Sequence, residues 1–279
     1  MFKYECCFKT NLGLIRRNNE DNFFLNGHIK RAPELTKYDK KDLVYGSGLF
    51  AVCDGMGGEE YGERAALIAV ESLKYYLNSD FYRLGEQYVE DANSKICKMI
   101  SDHNGVRSGT TLALLYIKDN NAFSYNIGDS RVYLFRKGEL HQLSIDDTHV
   151  AHMVKMGILT QEEATIRSDK GVLTQHLGIF ADEMIIQAHR SESIAVQDND
   201  IFLLCSDGLT DMLTDTEIAL VLNENLNATV LVDALINKAI DNGGRDNITV
   251  GIVKHMGKRD NFITKIRRKI NGHQLRKEI

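Results

Sequence analysis

Apolar residues occur along this chain in two patterns. The continuous runs 49–53 and 201–205 have the length and composition of strands buried on both faces. Longer stretches repeat an apolar residue every three or four positions, which predicts amphipathic helices at 63–77, 84–103 and 228–240. Strands come first as hairpins and helices come in pairs, so the pattern favours an α+β fold of antiparallel sheets flanked by helices.

Turn-forming residues and polar stretches separate these elements. Further strands are predicted at 4–10, 22–25, 110–117, 122–127, 131–136, 140–143, 184–190 and 247–253. The four strands between 110 and 143 are joined by tight turns and should form an antiparallel meander. The polar segment 26–45 is predicted to be a surface loop. Residues 149–178 contain two short helices and are predicted to cross the surface near the functional site.

Composition places the chain among ordinary globular proteins. Its 279 residues are 43% hydrophobic and 26% charged, and no Pro/Gly/Ser-rich linker divides them, so we expect one large folded domain. No stretch approaches the roughly 20 apolar residues that cross a bilayer, and the first residues do not resemble a signal peptide. The five cysteines are scattered and include no Cys-x-x-Cys pair, which predicts reduced thiols in a cytoplasmic protein.

Charge divides the chain into two parts. Residues 254–279 carry nine Lys/Arg and two acids, a net charge of +7. Because the whole chain has a net charge of −5, the first 253 residues have a net charge of −12. We expect a folded domain over 1–253 and a basic tail over 254–279. The tail is either a solvated, poorly ordered terminus or an amphipathic helix that contacts anionic lipid, a partner protein or the acidic domain. The charge of the domain argues against nucleic acid as a partner.

Four aspartates stand at or beside predicted strand ends. Asp54 and Asp207 follow the two continuous apolar runs, and Asp129 and Asp246 occupy similar junctions. Glycines after Asp54 allow the backbone to turn sharply there. Carboxylates crowded at one sheet edge repel one another, and some must take up protons unless cations lie between them. An all-oxygen site of this kind suits magnesium or manganese better than zinc.

Two phosphate-binding loops can be set aside. The pair Gly55-x-Gly57 follows a strand, but Glu60 stands where a dinucleotide-binding loop has its third glycine, and Asp54 would repel a pyrophosphate. A nucleotide-triphosphatase loop is excluded because no Gly-Lys-Ser/Thr follows. Taken singly, residues 11–21 can be a solvated loop and residues 128–131 a hairpin turn. Their order within the whole chain is more informative.

Seven short motifs occur in an order that resembles the metal-dependent serine/threonine protein phosphatases of type 2C, in their compact bacterial form. The resemblance covers residues 4 to about 253 and rests on residues 16–21, 50–58, 108–111, 128–131, 173–178, 206–209 and 244–247. It implies a β-sandwich of two antiparallel sheets with helices on both sides, in four layers. It also implies hydrolysis of phosphoserine and phosphothreonine in proteins by direct attack of a hydroxide that bridges two Mn²⁺ or Mg²⁺ ions.

The resemblance assigns roles to individual residues. Asp54 should bridge the two ions, and the carbonyl of Gly55 should ligate one of them. Asp207 and Asp246 should hold the other ion. Arg16 should bind the phosphate, so that the catalytic residues are Arg16, Asp54 and Asp207. An arginine suits this role because its planar guanidinium donates two parallel hydrogen bonds.

Further roles follow from the same resemblance. Glu20 and Asp21 should act near the ion bound to Gly55, partly through water. Asp129 and Asp211 should form a weaker site for a third ion. Met56 stands where longer, eukaryotic members carry a histidine proposed as general acid, so the donor of the leaving-group proton is open.

Two rival functions remain beside a general protein phosphatase. One is a regulatory phosphatase dedicated to one small phosphoprotein, and the other is a catalytically silent scaffold of the same fold that binds phosphoproteins. Loss of a metal-binding aspartate would indicate the scaffold, and none of the expected ones is missing. The implied partners are phosphoprotein substrates and an opposing serine/threonine kinase in a bacterial cytoplasm.

Overall fold

The computed structural model describes residues 2–32, 35–57 and 61–257, and two antiparallel sheets form its centre. The strands are β1 (Lys3–Asn11), β2 (Asn22–Leu25), β3 (His28–Ile29), β4 (Lys37–Tyr45), β5 (Gly48–Cys53), β6 (Gly55–Met56), β7 (Gly109–Thr110), β8 (Leu112–Lys118), β9 (Asn121–Ile127), β10 (Arg131–Arg136), β11 (Glu139–Gln142), β12 (His189–Arg190), β13 (Ile194–Ala195), β14 (Ile201–Cys205) and β15 (Ile248–His255). The helices are α1 (Gly62–Leu73), α2 (Phe81–Asp102), α3 (His149–Lys155), α4 (Gln161–Thr165), α5 (Asp207–Thr210), α6 (Asp215–Leu222) and α7 (Ala228–Asp241).

The two sheets have separate strand orders. One sheet is ordered β11-β10-β14-β15-β1-β4, and the other is ordered β12-β9-β8-β5-β2-β3, with β13 also paired to β9. Strands β6 and β7 form a small ladder of their own. Strands β8 and β9 pair as a hairpin, and so do β10 and β11. The predicted four-stranded meander is wrong, because β9 and β10 belong to different sheets. The predicted α+β class is therefore confirmed.

Alternation along the central strands explains their continuous apolar composition. In β5, Phe50 and Val52 lie in the core between the two sheets, whereas Leu49, Ala51 and Cys53 face the core beneath α1 and α2. Strand β14 divides its side chains in the same way between the inter-sheet core and the core beneath α6 and α7. Each sheet is thus covered on both faces, and the layers are helix, sheet, sheet and helix.

Two predicted elements were wrong. The expected surface loop 26–45 contains β3 and the nine-residue strand β4, which pairs with β1 along its whole length. Because β4 is an edge strand with most of its residues at least partly exposed, its sequence lacks the apolar pattern of a core strand. The strand expected at 184–190 is reduced to β12, and its apolar residues Met184 and Ile185 are exposed.

The polar segment after β11 carries two short helices, as predicted. Helix α4 begins with a capping box in which Thr160 and Glu163 satisfy each other's backbone N–H groups. Strand β15 extends to His255, so Lys254 and His255 belong to the sheet. The predicted basic tail lies outside the described residues from position 258 onward. None of the described helices is long and apolar enough to cross a membrane.

Candidate active site

Two of the buried central strands deliver carboxylates to the same cleft. Strand β5 ends at Cys53 and is followed by Asp54, and β14 ends at Cys205, two residues before Asp207. Both aspartates line a cavity of about 350 Å³ at one end of the sandwich. The predicted site residues that line it are Arg16, Glu20, Asp54, Gly55, Asp129, Asp207 and Asp246. Seven of the nine predicted residues therefore meet there.

Threonines of the 108–111 motif hold the backbone of Asp54 in place. The N–H of Asp54 donates to the Thr111 hydroxyl at 3.0 Å, and the carbonyl of Asp54 accepts from the Thr110 hydroxyl at 2.9 Å. The Thr111 hydroxyl also lies 2.7 Å from that of Ser130, beside Asp129. The motif thus fixes two acidic strand ends relative to each other.

Two glycines are required by close backbone contacts. A Cβ on Gly55 would collide with the carbonyl of Gly62 at the start of α1, and a Cβ on Gly208 would collide with the carbonyl of Asn247. The residue after each central aspartate is therefore packed against a neighbouring segment of backbone. Any larger residue at either position would displace the adjoining carboxylate.

Asn247 ties the start of β15 to the loop that carries Arg16. Its Oδ1 accepts from the N–H of Glu20 at 2.8 Å, and its Nδ2 donates to the carbonyls of Leu12 and Asn18. The adjacent Asp246 accepts a 2.5 Å hydrogen bond from Arg16. The guanidinium predicted to bind phosphate is therefore hydrogen-bonded to a predicted metal ligand. This hydrogen bond raises the pKa of Arg16.

Asp21 lies behind the cleft and is completely buried. Its Oδ2 accepts hydrogen bonds from Ser206 at 2.9 Å and Thr249 at 2.6 Å. Its Oδ1 has no hydrogen-bond partner among the described residues. Burial raises the pKa of Asp21 to about 6, although the two hydroxyl donors oppose the shift.

Burial and mutual repulsion raise the pKa of four carboxyls that line the cleft. Burial, followed by repulsion from neighbouring aspartates, raises the pKa of both Asp54 and Asp207 well above the usual range. Burial raises the pKa of Glu20 to about 7, with a further contribution from Glu63. Burial, followed by the charge of Asp146, raises the pKa of Asp129 to about 7. Protonation is the response expected of a crowded acidic site without cations.

The residues present fit hard divalent cations. Oδ1 of Asp207 is buried without a hydrogen-bond partner among the described residues, and Asp54 lines the same cavity. Carboxylate and carbonyl oxygens are the ligands that Mg²⁺ and Mn²⁺ prefer. The described carboxylates line an open cavity and do not converge as a closed three-ligand cage.

Asp211 does not line the cleft. Its carboxylate is exposed and forms an ion pair with Lys170, with 2.6 Å between Nζ and Oδ1. Lys170 belongs to the surface segment that follows α4. The charge of Asp211 still contributes to the raised pKa of Asp129, and a third site formed by these two residues stays a prediction. Sequence reasoning missed Lys170 because nothing in its local sequence indicates a partner 41 positions away.

Sequence reasoning also missed a second cavity beside the cleft. It measures about 570 Å³ and shares Met56, Gly57 and His176 with the acidic cleft. Apolar side chains from α2 and from the segment after His176 contribute much of its lining, including Ile100, Ile179 and Phe180. Met56, noted in the sequence for the histidine that it replaces in longer members of the family, lines both cavities together with Gly57 and His176.

Comparison with known proteins identifies the family. A family model described as Protein phosphatase 2C matches residues 37–235. This chain belongs to the protein phosphatase 2C family. It is 34% identical over 256 residues to protein phosphatase PhpP of Streptococcus pneumoniae, covering 89% of this chain and 96% of that protein. It is 30% identical over 263 residues to serine/threonine phosphatase stp of Listeria monocytogenes, covering 88% and 94%.

Solved structures of protein phosphatase 2C relatives share the fold. The serine/threonine phosphatase PstP/Ppp of Mycobacterium tuberculosis aligns with a TM-score of 0.77 at 28% identity, covering 92% of this chain and 100% of that one. A structure of the PstP catalytic domain in complex with two manganese ions aligns with a TM-score of 0.74 at 28% identity, covering 91% and 99%. The resemblance and the four-layer fold inferred from the sequence are both confirmed.

Proposed function

We propose that this chain is a metal-dependent phosphatase that hydrolyses phosphoserine and phosphothreonine in proteins. The observation that carries the proposal is the crowding of carboxylates in one cleft, where Oδ1 of Asp207 is buried without a hydrogen-bond partner among the described residues. Family membership and the relatives named as serine/threonine phosphatases support the activity. The manganese complex of PstP supports a pair of Mn²⁺ or Mg²⁺ ions as the cofactor.

The proposal assigns the ligands as the family resemblance implies. Asp54 lies between the two ions, the carbonyl of Gly55 binds one, and Asp207 and Asp246 bind the other. Glu20 and Asp21 act near the first ion, and Asp129 with Asp211 forms a weaker third position. The bound ions supply a nucleophile at neutral pH and neutralise the charge of the phosphate. The acidic cleft supports this assignment, because every proposed site residue except Asp21 and Asp211 lines it.

Arg16 is proposed to bind the phosphoryl oxygens. Its side chain is 55% exposed at the mouth of the cleft, so it can exchange a carboxylate for a phosphate without being buried. A cation on Asp246 would neutralise that carboxylate and release the guanidinium. Arginine then offers two parallel donors to the phosphate.

The finer parts of the proposal concern partners and location. An opposing serine/threonine kinase would supply the phosphorylated proteins. A cytoplasmic location is supported by the five free cysteines, four of which are buried. The division into a phosphatase domain over 1–253 and a basic tail, and contact of that tail with an anionic membrane surface, stay proposals based on charge.

Hydrolysis of a phosphothreonine peptide by metal-stripped protein, titrated with Mn²⁺ and then Mg²⁺, tests the function. We expect phosphate release that depends on the metal and that Asp207→Asn abolishes. Asp241→Asn is the matched control, because Asp241 is exposed at the end of α7 and lines neither cavity. If folded wild-type protein releases no phosphate with either metal, the phosphatase proposal is wrong and the scaffold function replaces it.

A further inference from the structure

The acidic cleft and the neighbouring cavity meet at a common wall. Met56, Gly57 and His176 line both. The aspartates and Glu20 line the cleft, whereas Ile100, Ile179 and Phe180 line the second cavity. These three residues therefore separate an acidic cavity from a cavity with a partly apolar lining. One side suits a phosphate held by cations, and the other suits a partly apolar polypeptide segment.

If the protein has the proposed function, a phosphorylated protein bound to it would span this wall. Its phosphoryl group would enter the acidic cleft, and the chain that carries it would occupy the larger cavity, whose volume is about 570 Å³. The ester bond joins these two parts. Its serine or threonine oxygen would then lie at the wall where the two cavities meet.

That oxygen needs a proton when the ester breaks. It would otherwise leave as an alkoxide, which is strongly basic, so a positioned acid accelerates the step. Of the three shared residues, only His176 can donate a proton near neutral pH. Met56 and Gly57 carry no such group. Arg107 and Glu183 line the second cavity alone, and the acidic residues and Arg16 line the cleft alone.

The position of His176 is tied to that of Asp54. The next residue, Leu177, exchanges two backbone hydrogen bonds with Thr110 at 2.9 and 3.0 Å, and the Thr110 hydroxyl donates to the carbonyl of Asp54. The imidazole packs on Gly109, where a Cβ would collide with the ring. The acidic strand end and the histidine are therefore held in one rigid arrangement.

The ring is also oriented. Its Nδ1 lies 3.0 Å from the carbonyl of Leu177, a contact that places a proton on Nδ1. Nε2 has no hydrogen-bond partner among the described residues and is the nitrogen left to exchange a proton with a substrate. His176 is partly exposed, which is compatible with such exchange.

We propose that His176 is the general acid that protonates the leaving serine or threonine oxygen. The oxygen of a water molecule forms a bond to phosphorus, and the bond from phosphorus to the ester oxygen breaks. The ester oxygen keeps the electron pair and takes the proton from Nε2 of the imidazolium. The attacking water releases its proton to the cleft carboxylates and then to solvent, from which the imidazole is protonated again. The products are the free hydroxyl residue and phosphate.

Two substrates with different leaving groups test this role. His176→Gln should lower kcat/KM for a phosphothreonine peptide by about 100-fold, because general acid catalysis contributes roughly 10²- to 10⁴-fold. It should lower kcat/KM for p-nitrophenyl phosphate by less than about threefold, because nitrophenolate leaves without a proton donor.

His152→Gln is the matched control, since His152 is exposed on α3 and lines neither cavity. We expect both of its rates to equal those of the wild type. The nitrophenyl phosphate rate also reports whether His176→Gln is folded and loaded with metal. Equal losses with both substrates, or no loss with the peptide, would overturn the role of His176. Absence of wild-type turnover with either substrate would instead show that the proposed function has failed, and the inference would fall with it.

Discussion

Strand β14 lies between two aspartates whose surroundings differ. Asp200 precedes the strand, is 1% exposed, and accepts two hydrogen bonds from Arg136 at 2.7 and 2.9 Å and a third from the N–H of Gln197. Asp207 follows the strand, leaves Oδ1 without a hydrogen-bond partner among the described residues, and faces other carboxylates. Six residues separate Asp200, whose carboxylate is fully hydrogen-bonded, from Asp207, whose carboxyl is not.

The difference separates stability from function. The chain itself neutralises Asp200, so that carboxylate links β14 to β10 and contributes to folding. Among the described residues no cation is paired with Asp207, and its raised pKa means that the charged form of this carboxyl is disfavoured in the cleft. An acid left without a partner in a polar cleft is a candidate to bind a ligand from solution.

The largest expected effect is on catalysis. Asp207→Asn should lower kcat for a phosphothreonine peptide with Mn²⁺ by at least about 1,000-fold, because a proposed ligand of an essential ion is lost. Asp200→Asn, assayed below its own melting temperature, should stay within about threefold of the wild type. Steady-state kinetics at saturating Mn²⁺ provide the measurement. Similar losses in both variants would contradict the division between the two ends of β14.

The next effect is on stability, where the substitution of Asp200 should have a larger effect than that of Asp207. Asp200→Asn should lower the free energy of unfolding by about 3 kcal/mol, because it leaves the half-buried guanidinium of Arg136 without its charged partner. In metal-free protein, Asp207→Asn should not lower this free energy, because it removes a repelled charge. Urea denaturation of both variants after chelation makes the comparison. A destabilised Asp207→Asn protein would show that the carboxylate has a structural role.

The sequence predicted the parts of this contrast that are local. An apolar run followed by Asp and Gly identifies a strand that delivers a carboxylate, and both Asp54 and Asp207 were found in that way. The order of motifs then predicted the family and the four layers. Strand β4 was missed because an edge strand with polar faces looks like a loop.

Pairings between distant segments were beyond local reasoning. Arg16 meets Asp246 across 230 positions, and Lys170 meets Asp211 across 41. The wall formed by Met56 and His176 likewise depends on two segments meeting in space. Such contacts depend on how the sheets and loops pack, and a short stretch of sequence does not contain that information.

A third prediction concerns pH. The pKa values of Glu20 and Asp129 are raised to about 7 and that of Asp21 to about 6, so between pH 4 and 7 the folded state binds more protons than the unfolded state. Stability of the metal-free protein therefore falls as pH rises through this window. We expect the melting temperature to be about 5 °C higher at pH 6 than at pH 8.

Bound metal should change this dependence. Saturating Mn²⁺ stabilises the ionised carboxylates, so the melting temperature should rise at pH 8 and the difference between pH 8 and pH 6 should shrink or reverse. Thermal unfolding by circular dichroism at both pH values, with and without Mn²⁺, checks the sign. Metal-free protein that is more stable at pH 8 would mean that the cleft carboxyls are not protonated.

The smallest expected effect concerns the ion pair between Lys170 and Asp211. Both side chains are about two-fifths exposed, so the pair contributes only about 0.5 kcal/mol, a little over a twofold change in an equilibrium constant. Because the ammonium competes for a carboxylate of the proposed third position, Lys170→Gln should tighten the weakest Mn²⁺ binding step by about twofold in calorimetric titration. Lys98→Gln, which removes an exposed pair with Asp102 on α2, should leave that step unchanged. A weaker third step in Lys170→Gln would mean that the lysine supports this position and does not block it.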